Sequence, residues 1–288
     1  GTIILFKQGP ERAIEWGRYA IFVSILIEVF WLKFVGSNSI FRETGSFNNP
    51  NQLGYWALLS TCYVLMLNYG RRLKIIDVIV ILACGYFMTL ALSRAVLLSY
   101  ILVLVVLFIN NYLPFLMKLL VCLIIASYTL IQIAVFDNIS FLVDNFEVIE
   151  NVVARVETIQ TEKGVIEERG YQRILEHPMY LLYGAGEGAY YRFESYGGIR
   201  GLELHSGIGT LVFSYGLFGL ALFGAFVISI FRKAPLGFWV ILMSIMAYGI
   251  THQHIRFTGF WLFLGLAYSM AHYVIIPRQA TGSSHLPR

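Results

Sequence analysis

The stretch "MTLALSRAVLLSY", residues 88–100, sets Ser93 and Arg94 between two apolar runs. A guanidinium in such a place either reaches for water at a helix end or holds something negatively charged. Arg42 stands beside an asparagine-rich turn, and Arg256 follows His252 and His254 closely. His205 opens an apolar run directly after a long acidic stretch that contains Arg169 and Arg173. Clustered arginines suit phosphate or carboxylate, because the planar fork meets two oxygens at once. The chemistry in view is therefore anion binding by a set of basic side chains.

The elements that must position these groups are apolar. The chain is 58% hydrophobic, 16% aromatic and only 13% charged, far from a soluble domain. Apolar runs of near-spanning length predict transmembrane helices near 19–35, 53–70, 75–92, 95–112, 113–136, 205–231, 236–250 and 257–276. The fold class expected is all-α, a polytopic bundle of about eight spans. A strand barrel would show short alternating segments, which these runs do not. Cys62, Cys84 and Cys122 all fall inside expected spans and read as apolar filler.

Loop charge orients the spans, since short cytoplasmic loops collect Lys and Arg. An inner N-terminal segment puts Lys7, Arg12, Arg18, Arg71, Arg72, Lys74, Lys118, Arg232, Lys233 and Arg278 at or near the inner face. The expected organisation is a bundle over 1–136, a large outer loop over 137–204, three last spans over 205–276, and a tail, 277–288. The tail closes on "GSSHLPR", which reads as a tag or protease-site scar. The loop holds 12 of the 17 acidic residues and six basic ones. Ile139, Leu142, Phe146, Ile149, Val153 and Val156 recur at helical spacing and predict an amphipathic helix. A second helix is expected over 165–177, ending before Pro178, with a glycine- and aromatic-rich loop after it. Glu28 is the one intramembrane charge without an obvious role, either pairing with Lys33 or facing a cavity.

In this orientation Arg42, Arg94, Arg256 and His205 come from four loops at the outer face. Each singly reads as an interface anchor; together they read as a site. The face lacks ATP and nucleotide sugars, so the activated donor open to a membrane enzyme there is a sugar on polyprenyl pyrophosphate. Its leaving group needs preorganised cations. Asp occurs only at 77, 137 and 144, so no Asp-x-Asp pair exists to hold a divalent metal, and no metal site is expected. In "RETGSFNNPNQLGYW", Asn49 and Asn51 either touch substrate or simply cap and turn a helix start. Gly184 and Gly186 of "GAGEG" are candidates to offer backbone N–H groups to an anion.

The segments "FRETGSFNNPNQLGYW", "ALSRAVLLSY", "RGYQRILEHPMYLLYGAGEG" and "ELHSGIGTLVFSYGLFGL" occur in the order found in the O-antigen ligase and polymerase superfamily, which this chain resembles over about 41–220 and the two following spans. The resemblance implies a bundle of about twelve spans with a large periplasmic loop before the last three, so roughly four N-terminal spans are expected beyond this chain. It implies that Arg42, Arg94, Arg169 and Arg173 bind pyrophosphate and that His205 is the base; Arg256, from its own outer loop, is expected to join the arginines, and Glu203, two residues before His205, to orient or replace it. Asn49, Asn51, Gly184, Gly186, His252 and His254 are expected as further substrate contacts. Ser206 and Tyr215 stand where ligases often carry an amide and an acid, which favours the polymerase branch.

The expected function is a metal-independent, cofactor-free glycosyltransferase of the bacterial inner membrane, with its site facing the periplasm. It would lengthen a glycan between undecaprenyl-pyrophosphate-linked donor and acceptor. Membrane lipids and a chain-length regulator protein are the further partners; nucleic acid is not one. The alternatives are a ligase passing glycan to lipid A core and, from another class, a transporter or flippase of an anionic lipid-linked substrate. A transporter should line its path with polar residues, and Glu28 and Asp77 are the main deep ones.

Overall fold

The computed structural model describes residues 2–35, 43–91, 93–109, 114–115, 118–119, 122–123, 169–187 and 204–275. Nine α-helices and no strand occur among them: α1 (Thr2–Gln8), α2 (Pro10–Phe34), α3 (Pro50–Leu67), α4 (Ile75–Ala91), α5 (Arg94–Ile109), α6 (Gln172–Glu176), α7 (Gly207–Phe231), α8 (Leu236–Thr251) and α9 (Thr258–Met270), which continues as a π-turn to Ile275. The all-helical fold class is thus as expected. Two helices, Gly207–Phe231 and Thr258–Ile275, are long and apolar enough to cross a membrane; Ile75–Ala91, Ala95–Leu107 and Leu236–Thr251 are apolar but shorter. Most of the expected span 113–136 and the expected amphipathic helix at 139–156 lie outside the described residues. Of the expected helix 165–177, the described part forms only α6, which stops at His177 before Pro178.

The chain forms two compact units, Gly1–Ile125 with Leu222–Arg288, and Ala126–Ala221. In the first, α3 is central, with 13 of its 18 residues buried. It packs against α2, α4, α5, α8 and α9. Pro50 at its first turn has no N–H to lose, and Asn49 caps it by accepting the Gln52 N–H at 3.0 Å. The Gln52 side chain answers by accepting the Asn48 N–H at 3.3 Å, a reciprocal cap. Helical hydroxyls are satisfied within their own helices: Thr61 donates to Ala57 O, Ser99 to Ala95 O, Ser244 to Ile241 O and Ser269 to Gly265 O. This local bonding lets polar side chains sit in an apolar setting.

One end of this unit is held by charge. Arg18 lies within α2 rather than ahead of it, and its Nε donates to Asp77 Oδ1 at 2.7 Å while Nη2 donates to Asn68 Oδ1 at 2.7 Å. Asp77 Oδ2 also accepts the Lys74 N–H at 2.9 Å. The ion pair is almost fully covered, with side-chain exposures of 6% and 0%. Arg71–Glu11 and Lys74–Glu15 lie outside it at the same end. Three helices, α2, α3 and α4, are thereby fixed in register at a single point.

Removing one partner of a buried pair strands the other charge and costs about 3–5 kcal/mol, whereas an apolar pair of similar volume is near neutral. Asp77→Ala should therefore lower the melting temperature of the purified protein in detergent markedly, and Arg18→Met with Asp77→Leu should restore most of it. Equal damage from both would mean that the pair does more than hold the helices.

Candidate active site

In the unit Ala126–Ala221 the site is built around a flaw in α7. Gly216 has φ 69° and ψ −178°, so the helix is interrupted there. The interruption removes the two bonds that Leu217 and Phe218 would give to the carbonyls of Phe213 and Ser214. Segment 181–186 replaces them with four. Ala185 N–H donates to Phe213 O at 2.8 Å and Gly186 N–H to Ser214 O at 3.0 Å. Leu217 N–H donates to Leu181 O at 2.8 Å and Phe218 N–H to Leu182 O at 3.2 Å. Backbone meets backbone here, so neither side tolerates a side chain. A Cβ on Gly184 would overlap Ser214 O, and one on Gly216 would overlap Leu182 O.

This docking overturns one expectation. Gly184 N–H donates to Tyr180 O at 2.7 Å, and the next two amides are bound to α7 as above. The N–H groups of Gly184 and Gly186 are consumed by carbonyls and do not form an anion cradle. The glycines serve close approach instead.

Above the docked segment, residues 169–171 run beside 204–206. His205 is exposed, and its backbone N–H donates to Arg169 O at 3.2 Å. Ser206 is fully buried and caps α7 by accepting the Gly209 N–H at 2.9 Å. Its Oγ also lies 2.6 Å from the Tyr171 hydroxyl. A Cβ on Gly209 would lie 3.1 Å from the Tyr171 ring, so the glycine makes room for that contact. The latch holds the backbone on both sides of His205 and leaves its imidazole in the open. Arg169 is half-buried. Arg173 is buried, with its guanidinium 6.0 Å above the Phe213 ring, in a small core of Ala185, Leu204 and Phe213. Burial lowers its pKa from the usual arginine value, and the charge of Glu176 opposes that shift. A guanidinium stripped of water in this way gains much from an arriving oxyanion, but it must first be uncovered. Glu203 lies outside the described residues.

The other expected residues belong to the first unit. One of its ends gathers the starts of α3, α5 and α9 and the finishes of α4 and α8. Glu43 N–H bonds Leu90 O at 3.2 Å, the Tyr248 hydroxyl bonds Asn51 O at 3.2 Å, and a Cβ on Gly54 would meet Val96 at 3.1 Å. Arg94 is the first residue of α5 at this end; its side chain, like Arg42, lies outside the described residues. Tyr55, Tyr248 and His252 form a stacked column, with centroids 4.4 and 4.7 Å apart. A cleft of about 200 Å³ runs between Ile21 and Ser24 of α2, Trp56 and Tyr63 of α3, and Phe257.

Two expectations change here, while Asn49 takes one of its two expected roles, the helix cap described above. His254 does not face a substrate: it is 0% exposed, edge-on to Phe260 at 4.9 Å, and its ring fills the space a Cβ on Gly249 would need. Among the described residues Glu28 pairs with Ser46 rather than with Lys33. Its carboxylate accepts the Ser46 N–H at 2.8 Å and the Ser46 hydroxyl at 2.6 Å. Gly45, at φ 55°, lets the turn sit on that carboxylate, since any Cβ would overlap it. Glu28 thus anchors the asparagine-rich turn. Arg256 is exposed in the loop between α8 and α9, and His252 is half-buried with Nδ1 2.9 Å from Thr251 Oγ1. Among the described residues no group of three His, Cys, Asp or Glu side chains is placed to hold a metal ion. The sequence matches no protein-family model and no curated protein.

The interruption of α7 is testable with a control in the same helix. Gly216→Ala should cost about 1–3 kcal/mol from backbone strain alone, seen as a lower melting temperature, whereas Gly224→Ala, with open space around it, should be neutral or slightly stabilising. Equal effects would refute the docking.

His254 predicts a pH dependence. Burial pushes its pKa down to about 4, so the unfolded chain binds the extra proton between about 6.5 and 4. Stability is therefore intact above pH 6.5 and declines as pH falls toward 4, by a few kcal/mol at most. His254→Phe should flatten this part of the melting-temperature profile; an unchanged slope would place the titrating group elsewhere.

Proposed function

We propose that this chain belongs to the O-antigen ligase and polymerase superfamily and acts as a glycan polymerase. On this reading it crosses the bacterial inner membrane about eight times and works at the periplasmic face. The observation that carries the proposal is the setting of His205: an exposed imidazole at the start of α7, its backbone bound to Arg169 and braced by Ser206 and Tyr171, with Arg173 in the same unit. The acceptor hydroxyl attacks the anomeric carbon, and the bond from that carbon to the polyprenyl pyrophosphate breaks. His205 takes the hydroxyl proton, and the arginines neutralise the departing pyrophosphate.

The deep charges favour this reading over a carrier. Glu28 holds Ser46, and Arg18 holds Asp77 and Asn68, so each serves a packing contact rather than a polar path. The polymerase branch rests on the "ELHS" and "SYG" signatures; a ligase is the alternative within the same chemistry.

The purified protein, given undecaprenyl-pyrophosphate-linked repeat units, should lengthen the lipid-linked glycan. His205→Gln should fold normally and lose about 10²–10⁴-fold in rate. Arg94→Lys keeps the charge but not the fork, and should lose roughly thirty- to a thousand-fold. Long glycan appearing on lipid A core, with no lengthening on the carrier, would reassign the protein as a ligase. Full activity in both variants would refute the assigned site.

A further inference from the structure

The described part of the large loop carries an apolar surface that the catalytic reading does not use. Leu175 is 75% exposed, Met179 71%, Leu182 55% and Tyr183 77%. Between Glu176 and Glu187 the ten residues "HPMYLLYGAG" contain no Asp, Glu, Lys or Arg. A long water-facing loop usually presents polar side chains at such positions.

The hydrogen bonds to α7 set the depth of this surface. Leu181 and Leu182 accept from Leu217 and Phe218, which lie about ten residues into the helix, or roughly 15 Å along its axis at 1.5 Å per residue. A hydrocarbon layer about 30 Å thick that begins within the first turn or so of a spanning α7 therefore takes in the docked segment. Phe218 and Leu217 beside it are themselves exposed, so the loop surface continues the bare apolar face of the helix. Irregular backbone at that depth is tolerated only where its polar groups are satisfied by protein. The amides of Gly184, Ala185 and Gly186 and the carbonyls of Leu181 and Leu182 are all bonded.

We propose that residues 177–186 form a re-entrant segment inserted into the outer leaflet, where Met179, Leu182 and Tyr183 contact lipid acyl chains. The segment rests on the reading of α7 as membrane-spanning, stated above. It brings acyl chains against the same unit that carries His205, so a lipid-borne substrate reaches the site sideways from the bilayer.

The test uses nitroxide labels on the whole protein in lipid nanodiscs. Cys62 and Cys84 are 0% exposed and do not label, and Cys122→Ser removes the third thiol. Tyr183→Cys and Met179→Cys carry the label in separate samples; Leu222→Cys, on the exposed face of α7, is the control for spanning. Relaxation by oxygen, which concentrates in the acyl region, is compared with relaxation by a water-soluble nickel chelate. Insertion predicts that oxygen dominates at 179, 183 and 222 alike. Oxygen dominating at 222 but nickel at 179 and 183 overturns the re-entrant segment alone. Nickel dominating at all three overturns the spanning reading beneath it. Low accessibility to both at 179 and 183 would mean that protein covers the surface, and would also overturn the proposal.

Discussion

Two hydrogen bonds are missing from helix α7, and the arrangement around His205 follows from how they are replaced. An apolar helix cannot leave buried backbone groups unpaired, because each orphan costs as much as a lost hydrogen bond or more. Gly216 breaks the ladder, and residues 181–186 complete it from outside. Once that segment is docked, Tyr180 meets Phe213 edge-on, Ala185 joins Leu204 in a small core, and Arg173 comes to lie over the same phenylalanine. The chain leading into the segment then runs past the start of α7, where Arg169 O accepts the His205 N–H and Tyr171 holds Ser206 next to it. A backbone defect in one helix thus becomes a mount for an exposed imidazole.

The other unit solves a related problem with side chains. A charge in apolar surroundings is tolerated when its partner arrives with it. Arg18 and Asp77 come from different helices and close one end, with Asn68 taking the remaining guanidinium donor. Glu28 receives a backbone amide and a hydroxyl from Ser46, which pins the asparagine-rich turn to α2. That turn starts α3, the helix against which five others pack. Arg94 begins α5 in the same unit, so its backbone is held by the bundle. Rigid elements hold a charged site more precisely than free loops do.

Hydropathy made most of the described helices legible, with ends within a few residues of the expected positions, as 75–91 for 75–92 and 236–251 for 236–250, but α2 begins at Pro10 rather than near 19 and α1 was not expected. Local chemistry explains that success, since Pro50, Asn49 and Gln52 mark a helix start by themselves. The break in α7 was not legible. Gly216 lies in an apolar run where a glycine is usually a small packing residue, and its meaning depends on Leu182 and Gly184, some thirty positions away. The same distance hid the use of the "GAGEG" amides, which local reading offers to an anion and the fold gives to α7. His254 illustrates the converse. Its neighbours His252 and Arg256 made it look like part of a polar cluster, but its ring is turned inward between Gly249 of α8 and Phe260 of α9. Position in sequence located the candidate groups; burial decided which of them face outward.

Amide hydrogen exchange tests the central claim, that the loop completes the broken helix, most directly. The account predicts that Gly184, Ala185 and Gly186 exchange in detergent as slowly as neighbouring helical amides of α7, and that Leu217 and Phe218 share that protection. Free-loop exchange at 184–186, with α7 still protected on both sides of Gly216, would contradict it.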